Sequence, residues 1–342
     1  MSTAVLSVGD VADGAPLDLD LAPDGTPQRP LVVVDLCAAG DARDRPRAAD
    51  RLSAALPVVV GVDPDGEQPA LWDACDVVLT ATPTDDEAGV AHPEPLAAAA
   101  QLAGAAARAP RAAVALVGLL RQTDVLDVRA GLLAESAVYS ALLAGPEHRA
   151  WLATRVGPGA PDPTPPVRVT RDGDVLRLTL TRAHRRNAVT AATRAALVDA
   201  LAIAAADPSV SVELDAEGPD FSTGGDLAEF GSLPDVATAH VVRSDRSVGW
   251  AIHQLRDRVH VRMHGRAQGS GIEMPAFAAH VTATADATFG LPELALGLVP
   301  GAGGTVSVTR RVGRWRTAWL VLAGGAIDAP TALDWGLVDA LA

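Results

Sequence analysis

Phe221-Ser222-Thr223-Gly224-Gly225-Asp226-Leu227 follows a strand-like run, Val210–Leu214, and leads into a helical one. A second stretch of the same kind is His264-Gly265-Arg266-Ala267-Gln268-Gly269-Ser270-Gly271-Ile272-Glu273, which follows the strand-like run Arg258–Met263 and opens a helix. Phe289-Gly290-Leu291-Pro292-Glu293, with Gly297-Leu298-Val299-Pro300-Gly301-Ala302-Gly303-Gly304-Thr305, completes the set. Glycine-rich turns from strand to helix leave backbone N–H groups without intrahelical partners and let a ligand approach the chain. Two such turns can aim two N–H donors at one oxygen, which stabilises an oxyanion without a charged side chain. Glu273 and Glu293 sit at the second and third stretches, and paired carboxylates there suit acid–base work on carbon next to a carbonyl. Taken singly, a Gly-rich turn is usually structural and a helix-borne Glu usually solvated. Their order and spacing make the signal.

Strands and helices alternate around these turns. Val167–Arg171 and Val175–Thr181 read as a hairpin around Asp172-Gly173. A helix capped by Thr190 runs to Ala206 and stops at Asp207-Pro208, and another lies near Val236–Leu255. This alternation predicts α/β layers with a parallel sheet. Upstream, Gly157–Pro166 holds five prolines and two glycines and marks a linker over 157–166. Before it, Leu31–Leu36, Val58–Val62 and Val77–Thr80 read as buried strands, with helical spacing over Asp44–Leu56. Leu96–Arg108, Ala112–Thr123 and Val128–Leu143 are Ala/Leu-rich helices separated by Pro110 and closed by Gly145-Pro146. Residues 1–29, acidic and rich in Gly and Pro, are expected to be a loose arm. The resulting order is an arm over 1–29, an α/β unit ending in a helical block over 30–156, a linker, and a core over 167–342.

Composition bounds the partners. Of 342 residues, 49% are hydrophobic and 20% charged, which excludes a disordered chain. Aromatics make up 3%, so Ala, Val and Leu must build the core. Net charge is −14; residues 1–165 hold 11 Arg against 23 acids and the rest 17 Arg against 19 acids, so the first half carries most of it. Such a chain is a poor nonspecific binder of nucleic acid. It has no Lys, so anion contacts fall to Arg, His or backbone N–H groups. Cys37 and Cys75 cannot alone build a disulfide framework or a four-ligand zinc site, and are expected to be reduced, buried thiols. The opening lacks a basic and an apolar signal region, and no apolar run reaches about 18 residues. A cytoplasmic protein without a membrane partner is expected.

Together the three stretches resemble the enoyl-CoA hydratase/isomerase, or crotonase, superfamily. The resemblance runs from Val167 to Ala342. It includes the opening Leu180-Thr181-Arg182-Ala183-His184-Arg185-Arg186-Asn187-Ala188 and the closing Gly336-Leu337-Val338-Asp339. It implies a ββα spiral core, with the Gly225 and Ser270 N–H groups as oxyanion donors. The family usually has Gly at the Ser270 position, and a side chain there could narrow the pocket. Glu273 and Glu293 match the two glutamates of true hydratases, whereas many isomerases, hydrolases and decarboxylases keep one. His184, Arg185 and Arg186 match the strip that contacts the CoA nucleotide, with the alternative of a solvated basic loop. Thr223, Gly224, Gly269 and Gly271 match the substrate-binding turns, and Asp226 reads as fixing its turn.

The first half departs from the family. Ala55–Thr80 resembles a worn crotonase segment without the oxyanion turn, and Pro95–Arg155 resembles the family's terminal helices, which would otherwise follow Ala342. The first half is therefore expected to be a degenerate crotonase-like unit whose helices stand in for that block. His92-Pro93-Glu94 repeats the Pro-Glu pair only superficially. Glu135, Tyr139 and Trp151 read as helix-packing or rim residues. The resemblance implies an acyl-CoA lyase that adds water to an α,β-unsaturated thioester. CoA would be part of the substrate, no metal or other cofactor is expected, and the chain would form a homo-oligomer, trimer or hexamer. Enoyl-CoA isomerisation, C–C hydrolysis, cofactor-free dioxygenation and a non-catalytic partner subunit remain the alternatives.

Overall fold

The computed structural model describes residues 4–38, 43–123, 125–155, 162, 164–232 and 235–342. Most of the expected linker, 157–161 and 163, lies outside the described residues. In the first half, β1 (Val5–Ser7), β2 (Leu31–Asp35), β3 (Val58–Val62), β4 (Val77–Thr80) and β5 (Gly89–Ala91) form one parallel sheet in sequential order. Val5, Val33, Val60 and Val77 lie side by side across four strands. Helices α1 (Val8–Ala12) and α2 (Asp44–Ser53) connect the early strands. They are followed by α3 (Pro95–Arg108), α4 (Pro110–Thr123), α5 (Val128–Leu143) and α6 (Pro146–Ala153).

Both faces of this sheet are covered, which is why its strands are continuous apolar runs rather than alternating ones. Val32, Val34, Val59 and Val78 pack with α1, α2 and Trp72 in a small core. Val33, Val58, Val60 and Leu79 face α3 and α4 and join a core that continues through the second half. Arg121 of α4 pairs with buried Asp76 at 2.6 Å, and Asp76 also accepts the Val59 N–H at 2.8 Å.

Three expectations are corrected here. The arm over 1–29 contains an ordered edge: β1 pairs with β2, and Ser7 and Asp10 form a reciprocal cap that starts α1. The acidic surroundings hide its short apolar run Val5, Leu6, Val8 and Val11. Pro146 does not only break a helix but starts α6 at its first turn, where its missing N–H costs nothing. Cys37, two residues past the end of β2, is exposed, whereas Cys75 is buried; both thiols are free.

The second half begins with the antiparallel pair β6 (Val167–Asp172) and β7 (Val175–Leu180), then α7 (Ala191–Ala206) and β8 (Ser211–Ala216). Next come α8 (Val236–Asp245), α9 (Val248–Gln254), β9 (Val259–Met263), β10 (Arg266–Gln268) and the single turn α10 (Ser270–Glu273). The chain closes with β11 (His280–Ala283), β12 (Thr288–Gly290), α11 (Gly304–Ala323), β13 (Ala326–Asp328), α12 (Ala329–Asp334) and β14 (Ala340–Leu341). The main sheet runs β14-β11-β9-β8-β7-β6 and is parallel except for β6–β7; a smaller sheet runs β10-β12-β13. This is the α/β, two-sheet spiral core that the resemblance implies. The helix expected near 236–255 is two, because Ser247 caps a fresh start by accepting the Trp250 N–H. Helix α11 lies against α3, α4 and α5, so the helical block of the first half covers the second. Among the described residues, no single helix is long and apolar enough to cross a membrane.

Candidate active site

Asn187 explains how the first glycine turn is held. It is buried in a left-handed conformation (φ +53°), and its Nδ2 donates to the carbonyls of Glu217 and Asp220 at 2.8 and 2.9 Å. Its own carbonyl accepts from Ser222 Oγ at 2.9 Å. The segment after β8 is thereby laid beside β10, with Phe221 N–H donating to His264 O and Gln268 N–H to Ser222 O. Arg182, also buried, donates to Asp162, Asp226 and the Ala188 carbonyl, and so ties the opening segment to the same turn. Asp226 accepts the Ala228 N–H, which fixes the turn as expected.

Glycine is required at two points. Gly224 has φ +93°, and a Cβ there would meet the Gln268 carbonyl at 3.0 Å. Gly269 has φ +52°, and a Cβ there would sit 2.6 Å from Glu293 Oε1. The residues following each, Gly225 and Ser270, border the same cavity, and neither backbone N–H donates a hydrogen bond among the described residues. Ser270 Oγ is buried there without a partner among them.

The two glutamates share this cavity but differ in surroundings. Glu273 Oε2 accepts the Ala302 N–H at 2.7 Å and the Gly304 N–H at 3.0 Å. Burial pushes its carboxyl above the ordinary range, and these backbone donors pull part of the way back. Glu293 Oε2 is buried and accepts nothing among the described residues. Burial first, and then the charge of Glu273, raises Glu293 well above the ordinary range. Like charges in a poorly solvated site resist joint ionisation, so this pair keeps a proton near neutrality.

A third carboxylate joins them from the first half. Glu135 of α5, expected to be a packing or rim residue, is buried. Its Oε1 accepts the Gly303 N–H at 2.7 Å, and its Oε2 accepts Thr305 N–H at 2.9 Å and Thr305 Oγ1 at 2.7 Å. It thus holds the loop that holds Glu273. Burial, then the charge of Glu273, raises its carboxyl as well. Tyr139, one turn on, packs its ring on Gly301, where a Cβ would lie 2.4 Å away. Trp151 packs as expected for a helix-packing residue, stacked on His148 with ring centres 5.3 Å apart.

The cavity measures about 1090 Å³. Leu132, Ser136, Tyr139 and Leu143 of α5 and His148 and Leu152 of α6 form one wall. Of the residues expected from sequence, Thr223, Gly224, Gly225, Gly269, Ser270, Glu273, Glu293 and Arg185 border it. Gly271 does not: it packs on Ser222, whose carbonyl would lie 2.6 Å from a Cβ. His184 and Arg186 also lie outside the lining. His184 pairs with Asp162 at 2.9 Å, and Arg186 (φ +52°) closes the short turn Ala183–Arg185. His92 and Glu94 are bonded to one another away from this cavity, through Glu94 N–H and His92 Nδ1. The sequence did hold a signal for Glu135. Polar Glu135, Ser136 and Ser140 fall on the buried stripe of an otherwise apolar helix, where polar groups need a reason.

Comparison with known proteins gives the same second half. The family model described as "Enoyl-CoA hydratase/isomerase" matches residues 170–342. The 2,3-dehydroadipyl-CoA hydratase of Escherichia coli (strain K12) is 38% identical over 173 residues, which are 50% of this chain and 67% of that protein. A probable enoyl-CoA hydratase of Bacillus subtilis (strain 168) is 36% identical over 131 residues, 38% of this chain and 50% of that one. The solved enoyl-CoA hydratase of Mycobacterium smegmatis superposes with a TM-score of 0.49 at 32% identity, covering 52% of this chain and 70% of that chain. The chain thus spans about one half to two thirds of the length of these curated relatives. With the family's model matched over half of the chain, from the hairpin through both glutamates to Ala342, the chain belongs to the enoyl-CoA hydratase/isomerase family.

Proposed function

We propose that the protein adds water reversibly across the α,β double bond of an acyl-CoA thioester. The observation that carries this reading is the pair of buried carboxylates, Glu273 and Glu293, in one cavity with two uncommitted backbone donors. The thioester oxygen would lie between the N–H groups of Gly225 and Ser270, which stabilise the enolate as it forms. Each such donor is worth about 10²–10³ in rate. Glu273, favoured as carboxylate by its N–H partners, takes a proton from water while the oxygen bonds to Cβ. Glu293, favoured as the acid by its unpartnered oxygen, gives its proton to Cα. One carboxyl gains the proton the other loses, and exchange with solvent resets the pair. CoA enters as part of the substrate, with Arg185 at the cavity and His184 and Arg186 beside it as candidate contacts for its phosphates.

Hydratase relatives support the water-adding direction over a one-glutamate proton shuttle. The test is incubation with crotonyl-CoA and longer or branched 2-enoyl-CoAs, following loss of the conjugated thioester absorbance and identifying the product. A 3-hydroxyacyl-CoA is expected. A β,γ-unsaturated product, formed without uptake of water, would overturn the reading in favour of isomerisation.

A further inference from the structure

Two guanidiniums in the cavity wall have no anionic partner among the described residues. Arg194 of α7 is half-buried and borders the cavity, and its guanidinium donates no hydrogen bond among the described residues. Arg243 of α8 is half-buried against α5. It donates to Ser136 Oγ and O and to Ser140 Oγ, and lies 4.7 Å above the Tyr139 ring, but its Nη1 has no partner among the described residues. Burial holds both below the ordinary arginine range, the Arg194 charge is a further cause at Arg243, and both border the same cavity.

The acids bordering the cavity are committed elsewhere. Asp162 and Asp226 pair with Arg182, and Asp235 caps α8 on the Thr238 N–H. Glu229, whose charge reaches Arg194, makes no ion pair with it and accepts the Ala191 N–H. Of the three buried glutamates, Glu135 carries a charge that reaches Arg243, but its oxygens accept from Gly303 and Thr305, and it makes no ion pair with Arg243 among the described residues. An unpaired guanidinium in a partly desolvated wall is costly unless the ligand supplies a carboxylate or phosphate, which its planar fork matches.

We propose that Arg194 and Arg243 form an anion-binding pole of the acyl chamber, and that the acyl group carries a carboxylate at the end remote from the thioester. The position favours the acyl group over the CoA nucleotide. Arg243 stacks on Tyr139, and Tyr139 packs on Gly301, beside the loop that holds Glu273. Arg182–Arg186, the candidate nucleotide strip, belongs to the opening turn instead. An uncharged acyl end would leave the Arg194 guanidinium and Nη1 of Arg243 without an acceptor, so the chamber selects against it. The chemical class is a monothioester of an unsaturated dicarboxylic acid.

The proposal rests on the hydratase reading for its reaction, but binding tests it without turnover. Calorimetry on the full chain would compare saturated, unreactive ω-carboxyacyl-CoAs of several lengths with uncharged acyl-CoAs of the same lengths. A preference of about 10- to 100-fold for the carboxylate is expected at the best length. Arg194→Gln, which breaks no described hydrogen bond, should abolish most of that preference, and Arg194→Glu should reverse it. Equal affinity for the two series, or a preference untouched by both variants, overturns the proposal. So does a loss that is equal for charged and uncharged acyl-CoAs and vanishes with pantetheine thioesters, because the guanidinium would then be reading CoA phosphate. Absence of turnover with an intact binding preference would defeat the hydratase reading alone.

Discussion

In the proposed hydration, acid catalysis turns on Glu293 Oε2, which is buried and accepts no hydrogen bond among the described residues. Glu293→Gln keeps the shape and removes the transferable proton. Hydration should fall by about 10²–10⁴-fold, measured as kcat on the preferred enoyl-CoA. The same variant has a stability signature. The folded-state value of Glu293 is raised, so the folded chain holds a proton that the unfolded chain has lost. The associated stability is fully present below the unfolded glutamate value, about pH 4.3, and is lost as pH rises through the folded value. Thermal unfolding against pH should therefore decline less steeply in Glu293→Gln, leaving it the more stable protein on the alkaline side. A wild-type slope would argue that Glu293 ionises freely. At Glu135 the expectation differs, because it touches no reacting atom and acts through the loop 301–305. Glu135→Gln sets an amide N–H against the backbone donors of that loop. Turnover should drop about 10- to 100-fold through misplacement of the base, while KM for the enoyl-CoA stays near its wild-type value. A purely structural role would lower the yield of folded protein and leave kcat per folded molecule unchanged.

The opening turn depends on Asn187, which bridges two elements through carbonyls 30 and 33 residues away. Asn187→Ala leaves those carbonyls without their donor and frees the turn carrying Gly225. We expect about 1–3 kcal/mol of lost stability in urea unfolding, together with a fall in kcat/KM. An unfolding midpoint unchanged from wild type would show that the turn is held by other contacts. At this scale the sequence was readable where local physics decides. The apolar runs Val58–Val62 and Val77–Thr80 became β3 and β4 with those bounds, Val128–Leu143 became α5, and Thr190 caps α7 through the Thr193 N–H. The glycine turns were readable because positive φ and close approach leave no substitute at Gly224 and Gly269. It failed where a short element leans on distant ones. β1 has three residues and exists because β2 offers an edge, and α6 begins at a proline that reads equally well as a stop. Glu135 was missed for the same reason, as its partner Gly303 lies 168 residues along the chain.

The whole molecule joins its halves through α11. Its buried residues include Val306, Val308, Val312 and Leu320, and it packs on α3, α4 and α5. Leu102, Leu116 and Leu120 of the first half belong to the same continuous core as Val306 and Leu337 of the second. The first sheet itself repeats the parallel order β7-β8-β9-β11-β14 of the second without a counterpart to β10-β12-β13, and that smaller sheet carries the turns at Gly269 and Glu293. The first half thus lends helices, one wall of the cavity and Glu135 but, among the described residues, no glycine turn like those that carry Gly225 and Ser270. Residues 162–342 alone would expose the faces that α3, α4 and α5 cover, and exposed apolar patches of that kind drive association. That fragment should be insoluble or inactive when expressed alone, and co-expression of residues 1–155 should restore both solubility and hydration. Co-expression of the same first half carrying Glu135→Gln separates the two contributions: solubility should return while turnover stays reduced. A fragment 162–342 that is soluble and fully active by itself would show that the helical block is dispensable, and with it the part assigned to Glu135.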